Sequence, residues 1–95
     1  MSDSPTVTNN AAASQFEVRT DTGVASLKYV QRGDVLDLVH THVPPADEGK
    51  GIGAALARAA LEHARREGER VIATCPFVRA YLNRHKEFAD LVVTP

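Results

Sequence analysis

The sequence has few of the residues that mark several large classes of protein. It contains a single cysteine, Cys75, no tryptophan, three phenylalanines and two tyrosines. One cysteine cannot form a disulfide within the chain and fits a reducing compartment, so we expect a cytoplasmic protein. No apolar run approaches the ~20 residues that span a bilayer, and we see no secretory signal, so we expect no membrane association.

The sequence also has no excess of positive or negative charge. Eleven lysines and arginines face twelve aspartates and glutamates, which gives a formal net charge of −1. A protein that binds nucleic acid usually carries a basic surface, and single-strand binders also use aromatic side chains for stacking. We therefore expect no nucleic-acid partner. The 95 residues leave room for one domain with a modest core.

The first half of the chain predicts a polar tail followed by three strands. Residues 1–13 are small and polar without periodicity, and we expect them to be disordered, with a folded domain over 14–95. Apolar and polar residues then alternate through Gln15–Thr20 and Val24–Val30, and a more apolar strand covers Val35–Val43. Short Gly-containing turns separate the three strands, which predicts an antiparallel meander.

The second half predicts a helix, a strand and a shorter helix. The helix covers Ile52–Glu67, with Gly68 as its C-terminal stop. A short strand follows over Arg70–Thr74, and Pro76 begins a helix that reaches His85. Residues 91–93 are a further extended piece. The predicted fold is α+β (mixed α/β) with the order βββαβα.

A glycine-rich turn joins the third strand to the first helix, and it predicts an anion site. Its sequence is Val43-Pro-Pro-Ala-Asp-Glu-Gly-Lys-Gly-Ile-Gly53. Glycines leave backbone N–H groups uncovered, and a helix N-terminus attracts anions. A Walker A loop is excluded because no Ser or Thr follows Lys50, and a dinucleotide fold needs a longer chain. A turn that only lets the helix pack closely remains an alternative.

The same segment resembles the acyl-CoA binding motif of GNAT-type N-acetyltransferases. The motif Gln/Arg-x-x-Gly-x-Gly/Ala aligns with residues 48–53, where Glu48 replaces the usual Gln or Arg. The residues Cys75-Pro-Phe-Val-x-x-Tyr81 extend the resemblance to the minimal GNAT-like domains. The resemblance implies a meander, a helix, a splayed strand and a short C-terminal helix.

It also implies which residues touch the co-substrate, acetyl-CoA or coenzyme A. In GNAT domains the strand before the turn splays from its neighbour, and the pantetheine arm lies in the gap. That arm would run beside Val43 and Pro45. The pyrophosphate would meet the amides of Gly49, Lys50, Gly51, Ile52, Gly53 and Ala54, with the Lys50 charge nearby. Tyr81 and Arg84, on the second helix, are further cofactor contacts that the resemblance implies.

Two residues carry the predicted chemistry. Cys75 precedes Pro76 at an N-cap position, where a helix dipole lowers the pKa of a thiol. His40 matches the family's usual active-site histidine and, like His42 two residues later, would border the same cleft. His40 as base and Cys75 as nucleophile or proton donor form a coherent catalytic pair. A buried structural cysteine is the alternative, and the spacing of His40, His42 and Cys75 does not suggest a metal site.

The sequence therefore predicts an acyl-CoA-dependent N-acyltransferase. The acceptor is a small-molecule or protein amine that the sequence does not identify, and the chain would act as a monomer or weak dimer. Attack could be direct or pass through an acyl-Cys75 intermediate. The alternatives are a non-catalytic module that binds CoA or acyl-CoA, and a small interaction domain whose glycine turn is only structural.

Overall fold

One five-stranded sheet forms the frame of the molecule. The computed structural model describes residues 5–94. The strands are β1 (Thr8–Asn10), β2 (Gln15–Thr20), β3 (Gly23–Arg32), β4 (Val35–His42) and β5 (Arg70–Ala73), and the helices are α1 (Ile52–Glu67) and α2 (Pro76–Arg84). The spatial order is β1-β2-β3-β4-β5, antiparallel up to β4, with β5 parallel to β4. The predicted α+β class is confirmed, and the predicted βββαβα order holds from β2 onward, with β1 as an additional first strand.

The strand β1 lies in the segment that we predicted to be disordered. Asn9 pairs with Phe16 of β2, and its side-chain oxygen accepts a hydrogen bond of 2.8 Å from the Tyr29 hydroxyl. The Asn10 side chain caps a 3-10 turn at Ala11–Ala13. The prediction is therefore wrong for residues 8–13, because a three-residue strand held by distant partners has no periodicity of its own. Residues 1–4 lie outside the described residues.

The helix α1 covers one face of the sheet. Alternating residues of β2, β3 and β4 turn toward it, and its own buried face is rich in alanine. Leu56, Ala57, Ala60, Leu61 and Ala64 are all fully buried. The three alanines let the helix approach the strands closely, and each buried leucine contributes ~1.5–3 kcal/mol. Helix α1 has the predicted bounds, and it ends at Gly68, whose φ of 69° is left-handed.

The C-terminal segment closes the far edge of the core. A 3-10 helix at Lys86–Leu91 follows α2. Arg65 of α1 holds it, with both of its terminal nitrogens within 3.1 Å of the Asp90 carboxylate. The extended piece predicted over residues 91–93 is reduced to one parallel bridge between Val92 and Val71. Neither helix of the described chain has the length and apolar character that a membrane span requires.

Candidate functional site

An extra residue in β4 opens the sheet ahead of the glycine turn. Tyr29 lies opposite Leu38, but the preceding residue of β3, Lys28, lies opposite His40, so Val39 is inserted. This is a β-bulge, which bends a strand and disturbs its ladder. β5 pairs with β4 over Val35–Leu38 only. Residues 39–42 therefore run past the end of β5, and this is where the predicted gap lies.

The bulge also decides which side chains face that gap. In a regular strand His40 and His42 would share a face with the buried Leu38. With Val39 inserted, Thr41 lies opposite the buried Leu27, so Thr41 is on the side covered by α1. His40 and His42 turn to the other face and are exposed. The predicted pairing of His40 with Cys75 is therefore not formed, and Thr41 takes that position.

Cys75 lies at the start of α2 with its side chain buried. Its N–H donates to the carbonyl of Leu38 at 2.9 Å, which ties the helix start to the last residue of β4 that β5 pairs. Its sulfur lies 3.3 Å from the Thr41 hydroxyl. Burial raises the pKa of the thiol, but the Thr41 hydroxyl and the N–H groups of Val78 and Phe77 outweigh it and bring the pKa below its usual value.

A buried carboxylate, that of Asp47, holds the glycine turn in place. Asp47 ends a 3-10 turn that begins at Pro45, and its side chain is 5% exposed. It accepts a hydrogen bond of 2.6 Å from Thr22 and one of 3.2 Å from Lys50. The bonds from threonine hydroxyls, with a smaller effect from Lys50, lower the pKa of Asp47. The turn is thus fixed to the loop between β2 and β3.

Helix α1 begins without a capping side chain. Its N-cap is Gly51, at φ 79°, and Gly49 is also left-handed at φ 83°. A Cβ at either glycine would meet no atom within 4 Å among the described residues, so open space lies beside both. The first N–H groups of a helix have no intrahelical acceptor. The start of α1 therefore presents backbone donors to whatever lies over it.

A cleft of about 490 Å³ joins the glycine turn, the start of α1 and Thr41, whereas the buried Cys75 is not among its lining residues. It brings together most of the predicted cofactor-binding residues of the turn. Its lining comprises Thr41, Val43, Asp47, Glu48, Gly49, Gly51, Ile52, Gly53, Ala54 and Phe77. Pro45 and Lys50 do not line it; both are exposed, and Lys50 lies on the outer side of the turn. The Phe77 ring lies so close to Gly53 that an added Cβ would come within 2.8 Å of it.

The two predicted residues of α2 have different surroundings. Tyr81 is buried, stacks on His85 with the ring centres 3.9 Å apart, and lines a second cavity beside α1. Burial raises the pKa of its hydroxyl, with Arg58 acting in the opposite direction. Arg84 is exposed and lines none of the cavities described here. Arg58 of α1 lines that second cavity together with Tyr81.

Three contributors to the site were not predicted from the sequence. Thr41 faces Cys75 because of the bulge in β4. The position of Phe77 is set by the packing of α2 against α1, and Arg58 lies on the side of α1 that faces α2. The sequence shows only that an apolar residue follows Pro76, and the 40% exposure of Phe77 is known from the structure alone. The described residues hold no cluster of three or more His, Cys, Asp or Glu side chains suited to a metal ion.

Comparison with known proteins gives a consistent assignment. Residues 15–91 match the family model described as GCN5-related N-acetyl-transferase. Protein NATD1 of Mus musculus is 36% identical over 75 residues, which cover 75% of this chain and 67% of the mouse protein. Protein NATD1 of Homo sapiens is also 36% identical over 75 residues, and the matched segment covers 66% of the human protein.

A solved structure has the same architecture. The NMR solution structure of a GCN5-like protein from Staphylococcus aureus superimposes with a TM-score of 0.74, over 99% of this chain and 93% of that one. The sequence identity is 23%, so this likeness concerns the fold.

Proposed function

The chain belongs to the GCN5-related N-acetyltransferase family, and from this premise we propose that it binds acetyl-CoA, or a related acyl-CoA, and transfers the acyl group to an amine. The observation that carries the proposal is the cleft. It places the uncapped start of α1, the open end of β4 and Thr41, whose hydroxyl lies 3.3 Å from the buried Cys75 sulfur, along one groove. An elongated thioester with a pyrophosphate in its middle fits that sequence of groups.

The groove suits the two chemically distinct parts of such a ligand. The backbone N–H groups of Gly49–Ala54 would hold the pyrophosphate, and the space beside Gly49 and Gly51 leaves room for it. The pantetheine arm would pass Val43, with Pro45 at the outer rim. Glu48 also lines the cleft and is exposed, so its carboxylate has to turn to solvent when phosphate is bound. Lys50 supplies a compensating charge beside the turn.

Acyl transfer can then follow one of two routes. In the direct route the amine nitrogen attacks the thioester carbonyl, the C–N bond forms, the C–S bond breaks, and CoA leaves as a thiolate that takes up a proton. In the covalent route the Cys75 thiolate attacks first and releases CoA, and the amine then attacks acyl-Cys75 and releases the thiolate. The lowered pKa of Cys75 favours a nucleophilic or proton-donating role in either route.

His40 keeps a narrower role in this proposal. It lies on the exposed face of β4, so it can serve as base only for an amine that approaches from that face through the gap beyond Leu38. This placement also favours the second candidate function, a module that binds acyl-CoA without turnover, because His40 is not paired with the thiol. A free thiol of this kind suits the reducing cytoplasm, where we place the reaction.

Intact-mass measurement after incubation with acetyl-CoA separates these alternatives. The wild-type chain and Cys75→Ala would be compared, with calorimetric titration of CoA and an amine panel alongside. Both chains should bind CoA with affinities within a factor of two. An acetyl adduct on the wild type alone supports the covalent route, and turnover without an adduct supports direct attack.

Two outcomes would count against the proposal. CoA binding without turnover of any amine would favour the binding module. Absence of CoA binding by the folded wild-type chain would overturn both functions, and leave the glycine turn with a structural role.

A further inference from the structure

A second cavity adjoins the cleft on the outer side of the α1 start. It has a volume of about 440 Å³ and shares Gly51 and Ala54 with the cleft, so the two meet at the first turn of the helix. Its remaining lining comes from three parts of the chain: Pro5 before β1; Lys50, Ala55 and Arg58 at the turn and on α1; and Tyr81 and His85 at α2. A single elongated molecule can therefore enter both cavities.

The two cavities differ in charge. The cleft carries Asp47 and Glu48, whereas no carboxylate is among the described residues that line the second cavity. Lys50 and Arg58 both line it, and their side chains are 62% and 57% exposed. The second cavity is therefore suited to an anion, and the cleft is suited to a neutral arm.

The Arg58 side chain is oriented so that its terminal nitrogens can bind a phosphate. Its inner nitrogen, Nε, donates to Glu62 of the next turn at 3.1 Å, which fixes the direction of the side chain. The terminal nitrogens of a guanidinium form a planar fork whose geometry matches two oxygens of a phosphate. Lys50 is also paired with a carboxylate, that of Asp47 at 3.2 Å, but its ammonium lacks the planar fork of a guanidinium.

An aromatic pair forms one wall of the same cavity. Tyr81 and His85 stack with their planes 16° apart, and His85 is the half-exposed member. Such a pair presents a flat surface of the kind on which a purine or ribose can rest. The cavity thus combines a cationic fork with a flat wall, one turn away from the donors at the start of α1.

We infer that the second cavity takes the 3′-phosphorylated ribose end of CoA and that Arg58 reads the 3′-phosphate, so that the chain selects CoA over 3′-dephospho-CoA. This inference rests on the proposed function. CoA carries its thioester arm at one end, its phosphorylated ribose at the other and its pyrophosphate between them. The thioester arm would lie in the cleft, the phosphorylated ribose in the second cavity, and the pyrophosphate at the α1 start, where the two cavities meet.

The test is a titration of wild type with CoA and with 3′-dephospho-CoA under the same moderate-salt conditions. We expect the wild type to prefer CoA by about tenfold, the effect of one good charge-assisted contact. Arg58→Gln should lose that preference by weakening CoA binding, while its affinity for 3′-dephospho-CoA stays the same. Arg66→Gln, which removes the same charge from α1 two turns further on, should keep the preference. Circular dichroism verifies that each variant is folded.

Several results would overturn the inference. Equal wild-type affinity for the two ligands would overturn it and leave the proposed function in place. So would an Arg58→Gln variant that loses both ligands equally, or loss of the preference in Arg84→Gln with retention in Arg58→Gln. If the wild type binds neither ligand, the proposed function fails, and the inference fails with it.

Discussion

Helices α1 and α2 both start at the cleft, but their first turns are built differently. Helix α1 follows Gly51, and no side chain of the described residues caps it. Helix α2 also lacks a side-chain cap among the described residues, but it follows Cys75, whose buried sulfur lies 3.3 Å from the Thr41 hydroxyl and whose pKa is lowered by that hydroxyl and by the N–H groups of Val78 and Phe77. Both helix starts carry the same partial positive charge. In the proposed function, the α1 start offers this charge to an external anion, whereas the α2 start lies beside its own thiol.

The difference indicates how one small fold can separate binding from chemistry. An uncapped, glycine-lined helix start contributes donors without adding a reactive group. A helix start that encloses a thiol changes the pKa of that thiol and leaves little room for a ligand phosphate. If this division is correct, substitutions at the α1 start should change affinity, and substitutions at the α2 start should change reactivity. The following predictions test that division.

The largest expected effect is at Gly51. Gly51→Val places a β-branched residue at φ 79°, a strained backbone conformation that would turn the first N–H groups of α1 away from the cleft. We expect CoA affinity to fall about 10- to 100-fold, since one or two charge-assisted bonds are lost. The free energy of unfolding should fall by ~1–2 kcal/mol. Calorimetric titration and urea unfolding measure the two quantities.

A matched control separates strain from binding. Gly33, in the turn between β3 and β4, has φ 63° and open space beside it, and it does not line the cleft. Gly33→Val should destabilise the fold by a similar amount and leave CoA affinity unchanged. If both variants weaken CoA binding equally, the α1 start has no special part in binding.

The sequence predicted the α1 start better than the α2 start, for a physical reason. The bounds of α1 follow from a local apolar stripe, two preceding glycines and the Gly68 stop, all within one segment. The α2 start depends on β4 as well. The bulge at Val39 arises from pairing with β3, and it replaces His40 by Thr41 beside Cys75. No pattern within β4 alone reveals an inserted residue.

The same distinction applies to two other features. β1 was missed because its hydrogen bonds come from β2 and Tyr29, far away in sequence. The resemblance indicated Arg84 of α2 as a cofactor contact, whereas Arg58 lines the second cavity because of the way α2 packs against α1. Local signals thus located the parts of the site, and long-range packing decided which side chains meet.

The second-largest expected effect concerns the contact between the two helix starts, whose contributions to stability we expect to be coupled. They touch where the Phe77 ring lies over Gly53, so Gly53→Ala should force the ring to move and cost ~1–2 kcal/mol. With Phe77→Ala in place the clash disappears, and the same alanine should stabilise the helix by ~0.5–1 kcal/mol. Urea unfolding of the four chains gives the coupling energy. We expect the effect of Gly53→Ala to change sign.

Val30 offers a control for this cycle. It is an apolar side chain with a similar exposure, 41% against 40% for Phe77, and it lies on β3. Gly53→Ala should have the same cost with or without Val30→Ala, since distant sites add. A cycle with Phe77 that is also additive would mean that the two helix starts act independently.

The smallest expected effect concerns the α2 start alone. Thr41→Val is nearly isosteric and removes the hydroxyl that lies 3.3 Å from the Cys75 sulfur. The pKa of Cys75 should rise, because among the groups that lower it the Thr41 hydroxyl has the largest effect. Titration of the thiolate by its ultraviolet absorbance measures the change. We expect CoA affinity to stay the same and the free energy of unfolding to change by less than ~1 kcal/mol.

The sign of the pH dependence gives a second measure of the same contact. Because the folded-state pKa of Cys75 is lowered, its thiolate contributes stability that is present above the unfolded pKa of ~8.5 and is lost as the pH falls through the folded pKa. Thr41→Val should reduce that alkaline gain. Thr74→Val is the control, since its hydroxyl is one residue from Cys75 but donates to Asp37 at 2.6 Å. Thr74→Val should lower the free energy of unfolding and leave the thiol titration unchanged. Equal titration curves for the wild type and both variants would show that Thr41 does not affect the pKa of Cys75.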